Sequence, residues 1–360
     1  MNKEGLFAHF SGATAKRYES LIEAFGTMDQ AWMENKHALK RIGWKDELIH
    51  AFFLFKQSVD ESKIEFDLHK KNIELIPYSS AKYPNQLKDL YDPPICLFVR
   101  GNIPDLQVSS VVVGPRRCSS YAKSILPNFI DTLAQYQIPV VSGLAYGIDA
   151  LAHSRCIEQS GTTVAVLPGG VDQQSVQPKQ HQRLAQSIID SGGALVSEFP
   201  PGAEVFAHSF PKRNRIVAAL SPLTLVVEAG KKSGSLITAQ VAVDLHRDVA
   251  AIPQDIRSKN SAGVHRLIQQ GAHLVHSPKD ILNLLGVTPS KCEKSQKKLP
   301  PTDAKQHAIY ELIPQHRSIH IDELRREYAG NKAEVTMLVS MLEMGGYITH
   351  QGVMCYVRKY

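Results

Sequence analysis

Residues 138–170 read IPVVSGLAYGIDALAHSRCIEQSGTTVAVLPGG and contain the pattern that decides the fold. Two short runs rich in β-branched residues, 138–144 and 162–170, lie on either side of a helical stretch. Each run is almost continuously apolar and is followed by glycine, serine or proline, as strands buried on both faces of a parallel sheet require. The segment therefore predicts one strand–helix–strand unit.

The same alternation extends in both directions along the chain. Five further runs have the same character: VSSVVVG (108–114), ALVSEF (194–199), TLVVEA (224–229), DVAAIP (248–253) and HLVH (273–276). The helical stretches between them supply right-handed crossovers. We therefore expect an α/β protein whose main domain, residues 66–287, is an extended Rossmann-like, doubly wound sheet.

Two smaller domains are expected at the ends. Residues 1–65 have helical spacing without strand-like alternation, which predicts a small domain of the SAM or helix-hairpin-helix type. Its Lys16–Arg17 pair heads a helix, where the turn amides of such modules meet a phosphate, although a bundle for packing or protein contact is an equal alternative. Residues 288–303 predict a flexible linker, and 304–360 predict a winged helix of three helices and a glycine-turned hairpin.

Composition narrows the class of protein. A chain of 360 residues with 43% hydrophobic residues can bury a full core, and its net charge of +6 favours a polyanionic partner. The five cysteines form no Cys-x-x-Cys pair, so we expect neither a disulfide framework nor a metal site, and no cofactor. No apolar stretch could span a bilayer and the first residues do not resemble a signal peptide, so we expect a cytoplasmic location without membrane contact.

The candidate binding residues follow the predicted strands, where ligands bind in open α/β sheets. Five segments rich in glycine, serine and cations occur there: GPRRCSS (114–120), SGLAYGID (142–149), LPGG (167–170), FPKRNR (210–215) and GKKSGSLIT (230–238). Their candidates for anion contact include Arg117, Gly169, Gly170, Phe210 and Lys212. Repeated cradles along one sheet edge suit successive phosphates of a nucleic-acid strand better than one nucleotide. The first turn lacks G-x-G-x-x-G and the chain has no P-loop, which disfavours an NAD oxidoreductase and an ordinary ATPase.

At these segments the chain resembles the DprA/Smf family of DNA-processing proteins. The matching stretches include YPNQLKDLYDPPICLFVRG (83–101), VVVGPRRCSSYA (111–122), VVSGLAYGIDALAH (140–153), FPKRNRIVAALSPLTLVVEAGKKSGSLITAQVA (210–242) and SAGVHRLIQQGAHLV (261–275). The resemblance implies a homodimer that binds single-stranded DNA without strong sequence preference and loads the RecA recombinase onto it during natural transformation, with no catalytic residues. It implies phosphate-binding roles for Gly114, Arg116, Ser119, Ser142, Gly143, Gly147, Arg213, Arg215, Lys232, Ser233 and Gly234, and dimer contacts at His265 and Leu274.

The chain departs from the family pattern at several positions. Pro115 replaces a hydroxyl residue, and Gln254 stands where glycine is usual. Tyr146 replaces a cation and offers a ring on which a base could stack. The stretch DQQSVQPKQHQRL (172–184) also lacks the usual Tyr-Pro.

Other interpretations of these residues remain open. Arg213 and Arg215 could pair with acidic neighbours, and His153, His208, Asp149 and Glu198 are interpreted as structural or contact residues. Two rival functions remain. The first is a nucleoside-monophosphate phosphoribohydrolase, because LPGG (167–170) and the downstream Glu228 resemble features of those enzymes, although their Pro-Gly-Gly-x-Gly-Thr-x-x-Glu signature is absent here. The second is a sensor that binds a free nucleotide.

Overall fold

In the computed structural model, the seven apolar runs form seven parallel strands of one sheet, and neighbouring residues of its central strands are buried on opposite faces. Val111 and Val113 pack into one hydrophobic cluster, and Val112 between them packs into another. This two-sided burial is the physical reason for the continuous apolar runs. The structure describes residues 2–288, 303–314, 318–350 and 354–358, and the chain divides into two compact units, Met1–Thr288 and Pro289–Tyr360.

The central sheet has nine strands in the order β1-β2-β6-β5-β4-β3-β7-β8-β9. They are β1 (Glu74–Pro77), β2 (Cys96–Gly101), β3 (Ser110–Val113), β4 (Val140–Ser142), β5 (Thr163–Val166), β6 (Ala194–Ser197), β7 (Leu223–Val226), β8 (Asp248–Ala251) and β9 (His273–Leu274). The strands from β3 to β9 are parallel, which confirms the predicted α/β class with a mostly parallel sheet.

The sequence pattern did not predict strands β1 and β2. Both are antiparallel to their neighbours, and only a 3-10 helix, Asn85–Asp89, lies between them. A parallel return would need a longer crossover, usually through an α-helix.

Helices cover both faces of the sheet. They are α7 (Ser120–Gln135), α8 (Ile148–Glu158), α9 (Gln182–Asp190), α10 (Ser209–Ala219), α11 (Gly234–Asp244), α12 (Ala262–Gln269) and α13 (Pro278–Leu284). Residues of α10, α11 and α12 pack into the first cluster, and residues of α7, α8 and α13 into the second.

The segment before the sheet is helical, as expected. It contains α1 (Lys3–Ala8), α2 (Ala15–Phe25), α3 (Met28–Met33), α4 (Lys36–Arg41), α5 (Asp46–Ser58) and α6 (Glu61–Lys70). Its core is aromatic, and the ring centroids of Trp32 and Phe52 are 5.4 Å apart. At the head of α2, Arg17 is turned back and donates to the carbonyl of Gly12 at 2.5 Å.

A buried carboxylate joins this helical segment to the sheet. Tyr18 donates to Glu4 Oε1 at 2.6 Å, and the hydroxyl of Ser79, just after β1, donates to Glu4 Oε2 at 2.9 Å. Hydrogen bonds to both oxygens offset the cost of burying the charge. The domain boundary predicted at residue 65 falls inside α6, and the domain limits stay a prediction.

The second unit contains three α-helices and three strands within its described residues. They are α14 (Ala304–Leu312), β10 (Ile319–His320), α15 (Ile321–Glu327), α16 (Val335–Met344), β11 (Ile348–His350) and β12 (Cys355–Arg358), with a 3-10 helix at Lys332–Glu334. The strands form an antiparallel sheet in the order β10-β12-β11. Most of the predicted linker, residues 289–302, and part of the predicted hairpin, residues 351–353, lie outside the described residues. Within the described ranges, no helix is long and apolar enough to cross a membrane.

Candidate nucleic-acid interface

A large cleft lies where the order of the parallel strands reverses. From β3 the chain proceeds through β4 and β5 to β6 on one side, and β7 then begins the other side. A cleft of about 620 Å³ lies beyond the carboxyl ends of β3 and β7, and we call it the switch-point cleft. Such a reversal is where open α/β sheets bind ligands.

The switch-point cleft brings together seven of the candidates predicted for DNA contact. They are Gly114, Arg116, Phe210, Arg213, Lys232, Ser233 and Gly234. Arg116 and Lys232 are exposed, so their charges face solvent and are free to meet an anion. The Arg116 guanidinium carbon lies 5.1 Å from the centre of the Phe210 ring, a cation–π contact that orients the side chain over the cleft.

Two glycines allow the turns after β3 and β4 to approach each other. A Cβ on Gly147, whose φ is +79°, would overlap the carbonyl oxygens of Pro115 and Arg116. A Cβ on Gly114 would overlap the side chain of Ile148. The absence of a side chain at Gly114 and Gly147 therefore allows these two candidate segments to pack against each other.

Ser119 is held by a buried carboxylate and does not line the cleft. Its amide donates to Glu228 Oε2 at 3.0 Å, and its hydroxyl bonds Glu228 Oε1. Asn260 donates to the same Oε2 at 3.2 Å. Glu228, two residues after the end of β7, thus fixes the turn after β3. The sequence analysis connected Glu228 only with the rival phosphoribohydrolase function, and it did not identify Asn260, which also lines the cleft.

Arg213 is buried, although it also lines the cleft. Its Nη1 donates to the carbonyl of Val166 at 2.7 Å and to that of Gly143, at the ends of β5 and β4. A Cβ on Gly143 would overlap this guanidinium, so the lack of a side chain at Gly143 accommodates Arg213. Burial raises the pKa of the nearby Asp149 carboxyl, and the charge of Arg213 opposes that rise.

Arg215 pairs with acidic residues away from the clefts. Its Nη2 lies 3.7 Å from Asp92 Oδ2 and forms a shorter ion pair with Glu198. Ser142 is also buried, and its hydroxyl donates to the carbonyl of Val112 at 2.7 Å. Arg117 and Lys212 are exposed but line none of the described clefts.

Two further cavities continue from the switch-point cleft. A middle cleft of about 100 Å³ is lined by Gly143, Tyr146 and Gln177, and a distal cleft of about 610 Å³ by Gln174, Gln177 and Glu204. Phe210 lines all three cavities, so they lie next to one another, and we call the three clefts together the groove.

Tyr146 offers part of its ring to the middle cleft. The side chain is 42% exposed, its hydroxyl donates to Gln180 Oε1 at 2.6 Å, and its ring meets the edge of His181. Gly169 and Gly170 instead support the loop that borders the distal cleft. A Cβ on Gly169 would overlap Val205, and one on Gly170 would meet Asp172.

The histidines near the groove have no catalytic arrangement. His153 is buried against the hydroxyl of Thr163, and burial lowers its pKa to about 3. His208 stacks on Phe206. Among the described residues, no group of three or more histidine, cysteine or acidic side chains could hold a metal ion.

The two residues predicted for the dimer interface, His265 and Leu274, line none of the three clefts. Their surroundings differ from each other. Leu274 is 51% exposed on β9, an edge strand of the sheet. His265, on α12, lies with Nε2 3.0 Å from the carbonyl oxygen of Gln254. The side-chain amide of Gln254 in turn donates to the carbonyl of Val227 at 3.0 Å. Gln254, which stands where the family usually has glycine, therefore stabilises the loop after β8.

The fold and groove define a Rossmann-like α/β protein with a cationic site at its switch point. Residues 74–286 match the family described as DNA recombination-mediator protein A. The chain belongs to this family, whose members are DNA-binding recombination mediators and not enzymes.

Individual relatives are similar over the same region. Protein Smf of Escherichia coli is 43% identical over 65% of this chain and 62% of its own length, so the match spans less than two thirds of that relative. DNA processing protein DprA of Streptococcus pneumoniae is 42% identical over 56% of this chain and 70% of its own.

Solved structures of the family have a similar fold. The X-ray structure of DprA from Streptococcus pneumoniae matches with a TM-score of 0.67 and 32% identity, over 79% of this chain and 98% of that one. A Helicobacter pylori DprA, whose structure concerns its single-stranded DNA binding mode, matches with a TM-score of 0.53 and 26% identity, over 60% of this chain and 97% of that one.

Proposed function

We propose that this protein binds single-stranded DNA along the groove and promotes loading of RecA onto it during DNA uptake and recombination. The observation that carries the proposal is that three clefts lie side by side around Phe210, with exposed Arg116 and Lys232 in the first of them. A groove of this kind fits successive nucleotides, whereas a free nucleotide would need only one cleft. The relative from Helicobacter pylori, described by its single-stranded DNA binding mode, supports the same ligand.

The binding residues have two kinds of role in this proposal. Arg116, Lys232, Ser233 and the amides around Gly234 contact phosphates directly. All four residues line the cleft, and Ser233 and Gly234 begin α11, where free amides favour an anion. Gly143, Tyr146 and Phe210 line the middle cleft, where the two rings face the bound strand. The remaining predicted site residues support these residues or lie outside the described clefts. They are Arg117, Ser119, Ser142, Gly147, Gly169, Gly170, Lys212, Arg213 and Arg215.

We further propose the cellular setting and the assembly. The protein acts in the cytoplasm, as a homodimer with Leu274 and His265 near the interface, and without membrane contact or cofactor. The second unit is a winged helix, which its three helices and antiparallel strands support. The domains are 1–65, 66–287 and 304–360, with a linker at 288–303.

Fluorescence anisotropy of a labelled oligo-dT tests the binding proposal. We expect tight binding that weakens steeply with salt, because phosphate contacts release counterions. Free nucleoside monophosphates should not displace the oligonucleotide. The Arg116→Ala, Lys232→Ala double variant should bind roughly tenfold or more weakly at the same salt and show a shallower salt dependence.

The control removes an exposed lysine outside the groove. Lys279→Ala, on α13, should bind like the wild type. Equal affinity of the double variant and the wild type would remove the site, and efficient displacement by a mononucleotide would favour the rival sensor or phosphoribohydrolase function. RecA loading is tested separately by RecA filament formation on oligonucleotides coated with single-strand-binding protein, which the wild type should accelerate and the double variant should not.

A further inference from the structure

The groove changes its chemistry along its length. The switch-point cleft is lined by the cations Arg116, Arg213 and Lys232. The distal cleft has no lysine or arginine among its described lining residues, and it is lined by the carboxylate of Glu204. A phosphate would be repelled by Glu204, whereas the uncharged base of a nucleotide would not. The distal cleft therefore fits the base side of a bound strand.

Gln177 is placed to hydrogen-bond such a base. It is half-buried and lines both the middle and the distal clefts. Its side-chain amide has no hydrogen-bond partner within the described part of the chain, and its polar atoms are not among the buried unpaired ones. The amide offers a donor beside an acceptor, which matches the paired groups on the edge of a base.

An exposed ring follows the distal cleft in the chain. Phe206 comes directly after Glu204 and Val205, which line the cleft, and it is 52% exposed. Its ring lies parallel to that of His208, with a 4° interplanar angle and centroids 5.5 Å apart. A supported, half-exposed aromatic ring is the type of surface on which single-stranded bases stack.

We propose that the distal cleft is a nucleobase subsite that prefers a base carrying an exocyclic amino group. Gln177 hydrogen-bonds the base edge, Glu204 accepts from the amino group, and Phe206 stacks on a neighbouring base. Cytosine and thymine have the same ring size, but cytosine has an amino donor where thymine has a carbonyl oxygen. Cytosine is therefore favoured over thymine. This inference rests on the proposed binding of single-stranded DNA and adds a base preference to it.

Anisotropy with oligo-dC and oligo-dT of equal length, at one salt concentration and pH 8, tests the subsite. We expect the wild type to bind oligo-dC roughly fivefold more tightly than oligo-dT, near the lower end of discrimination by a hydrogen-bonded base contact. Glu204→Ala should bring the ratio to within about twofold, because it removes the acceptor that only the amino group of cytosine uses. Gln177→Ala should weaken binding of both oligonucleotides, because its amide can pair with the edge of either base. Phe206→Ala should weaken binding of both oligonucleotides.

Gln135→Ala provides the matched control, because Gln135 is an exposed glutamine on α7 that lines none of the clefts. It should retain the wild-type ratio. Equal binding of the two oligonucleotides by the wild type, an unchanged ratio in Glu204→Ala, or unchanged affinities in Gln177→Ala overturns the base subsite and leaves the proposed function standing. Failure of the wild type to bind either oligonucleotide overturns the proposed function itself.

Discussion

The guanidinium of Arg213 is buried at the carboxyl edge of the sheet, where it donates to the carbonyls of Gly143 and Val166. These carbonyls lie at the ends of neighbouring strands, so the side chain ties the edge together besides lining the cleft. Arg116, which follows β3, is exposed and makes its cation–π contact with Phe210 at the surface. Two arginines predicted for the same role thus differ in what they stabilise.

Arg213→Ala should destabilise the protein, whereas Arg116→Ala should not. Removing Arg213 leaves buried carbonyls and Asp149 without their cation, which costs about 3 kcal/mol. Removing the exposed Arg116 should change the free energy of unfolding by less than about 0.5 kcal/mol. Urea denaturation of both variants measures the difference. Equal midpoints for the two variants would show that Arg213 has no structural role.

At the scale of the element, helix α7 begins at the turn that the sequence identified as a phosphate cradle. Ser119 is its N-cap, and the hydroxyl oxygen accepts from the Ala122 amide at 3.1 Å. The same hydroxyl bonds Glu228 at the end of β7. Hydrogen bonds to α7 itself and to the segment after β7 therefore hold the start of α7.

Ser119→Ala should lower the free energy of unfolding by about 1–2 kcal/mol, as the loss of an N-cap does. The Ala122 amide loses its hydrogen bond to the Ser119 hydroxyl, and the Glu228 carboxylate loses one of its partners. Ser124→Ala on the same helix is the control, because its exposed hydroxyl only donates to the carbonyl of Tyr121. We expect the control to unfold like the wild type in urea. An equally stable Ser119→Ala would contradict the role of Ser119 as a cap.

At the scale of the whole molecule, the sheet ends in an exposed edge. Strand β9 pairs only with β8 among the described strands, and its two residues are exposed. Unpaired edge groups together with an exposed leucine form a surface suited to a second copy of the chain. This arrangement supports the proposed homodimer.

Leu274→Glu should shift the protein from dimer to monomer. A charge placed in an apolar contact should weaken association roughly tenfold or more, and sedimentation velocity at micromolar concentration measures the change. Met33→Glu is the control, since Met33 is 87% exposed on α3, in the helical segment before the sheet. A wild type that sediments only as a monomer would contradict the dimer, and a Leu274→Glu variant that remains dimeric would place the interface elsewhere.

The parallel sheet and the segments that form the groove could both be predicted from the sequence. Runs such as residues 110–113 are apolar at every position because both faces of the sheet are buried, and that requirement is local enough to be visible in sequence. Ligands bind beyond the carboxyl ends of such strands, so the segments after them could be identified too. Strand β1 was missed because only one of its four residues is buried, so it lacks the continuous apolar run of the central parallel strands. Strand β2 ends in Arg100 and Gly101, which interrupt its apolar run.

Which cationic side chains are exposed and which are buried or paired follows from contacts that form only in the folded chain. Arg215 meets Glu198 seventeen positions earlier, and Arg213 reaches carbonyls 47 and 70 positions away. Ser119 is likewise held by Glu228, 109 positions later. Whether a side chain is exposed or paired depends on such neighbours, which chain folding brings together and no local pattern records. Residue type and spacing could therefore locate the groove, while burial separated its exposed cations from those that support the fold.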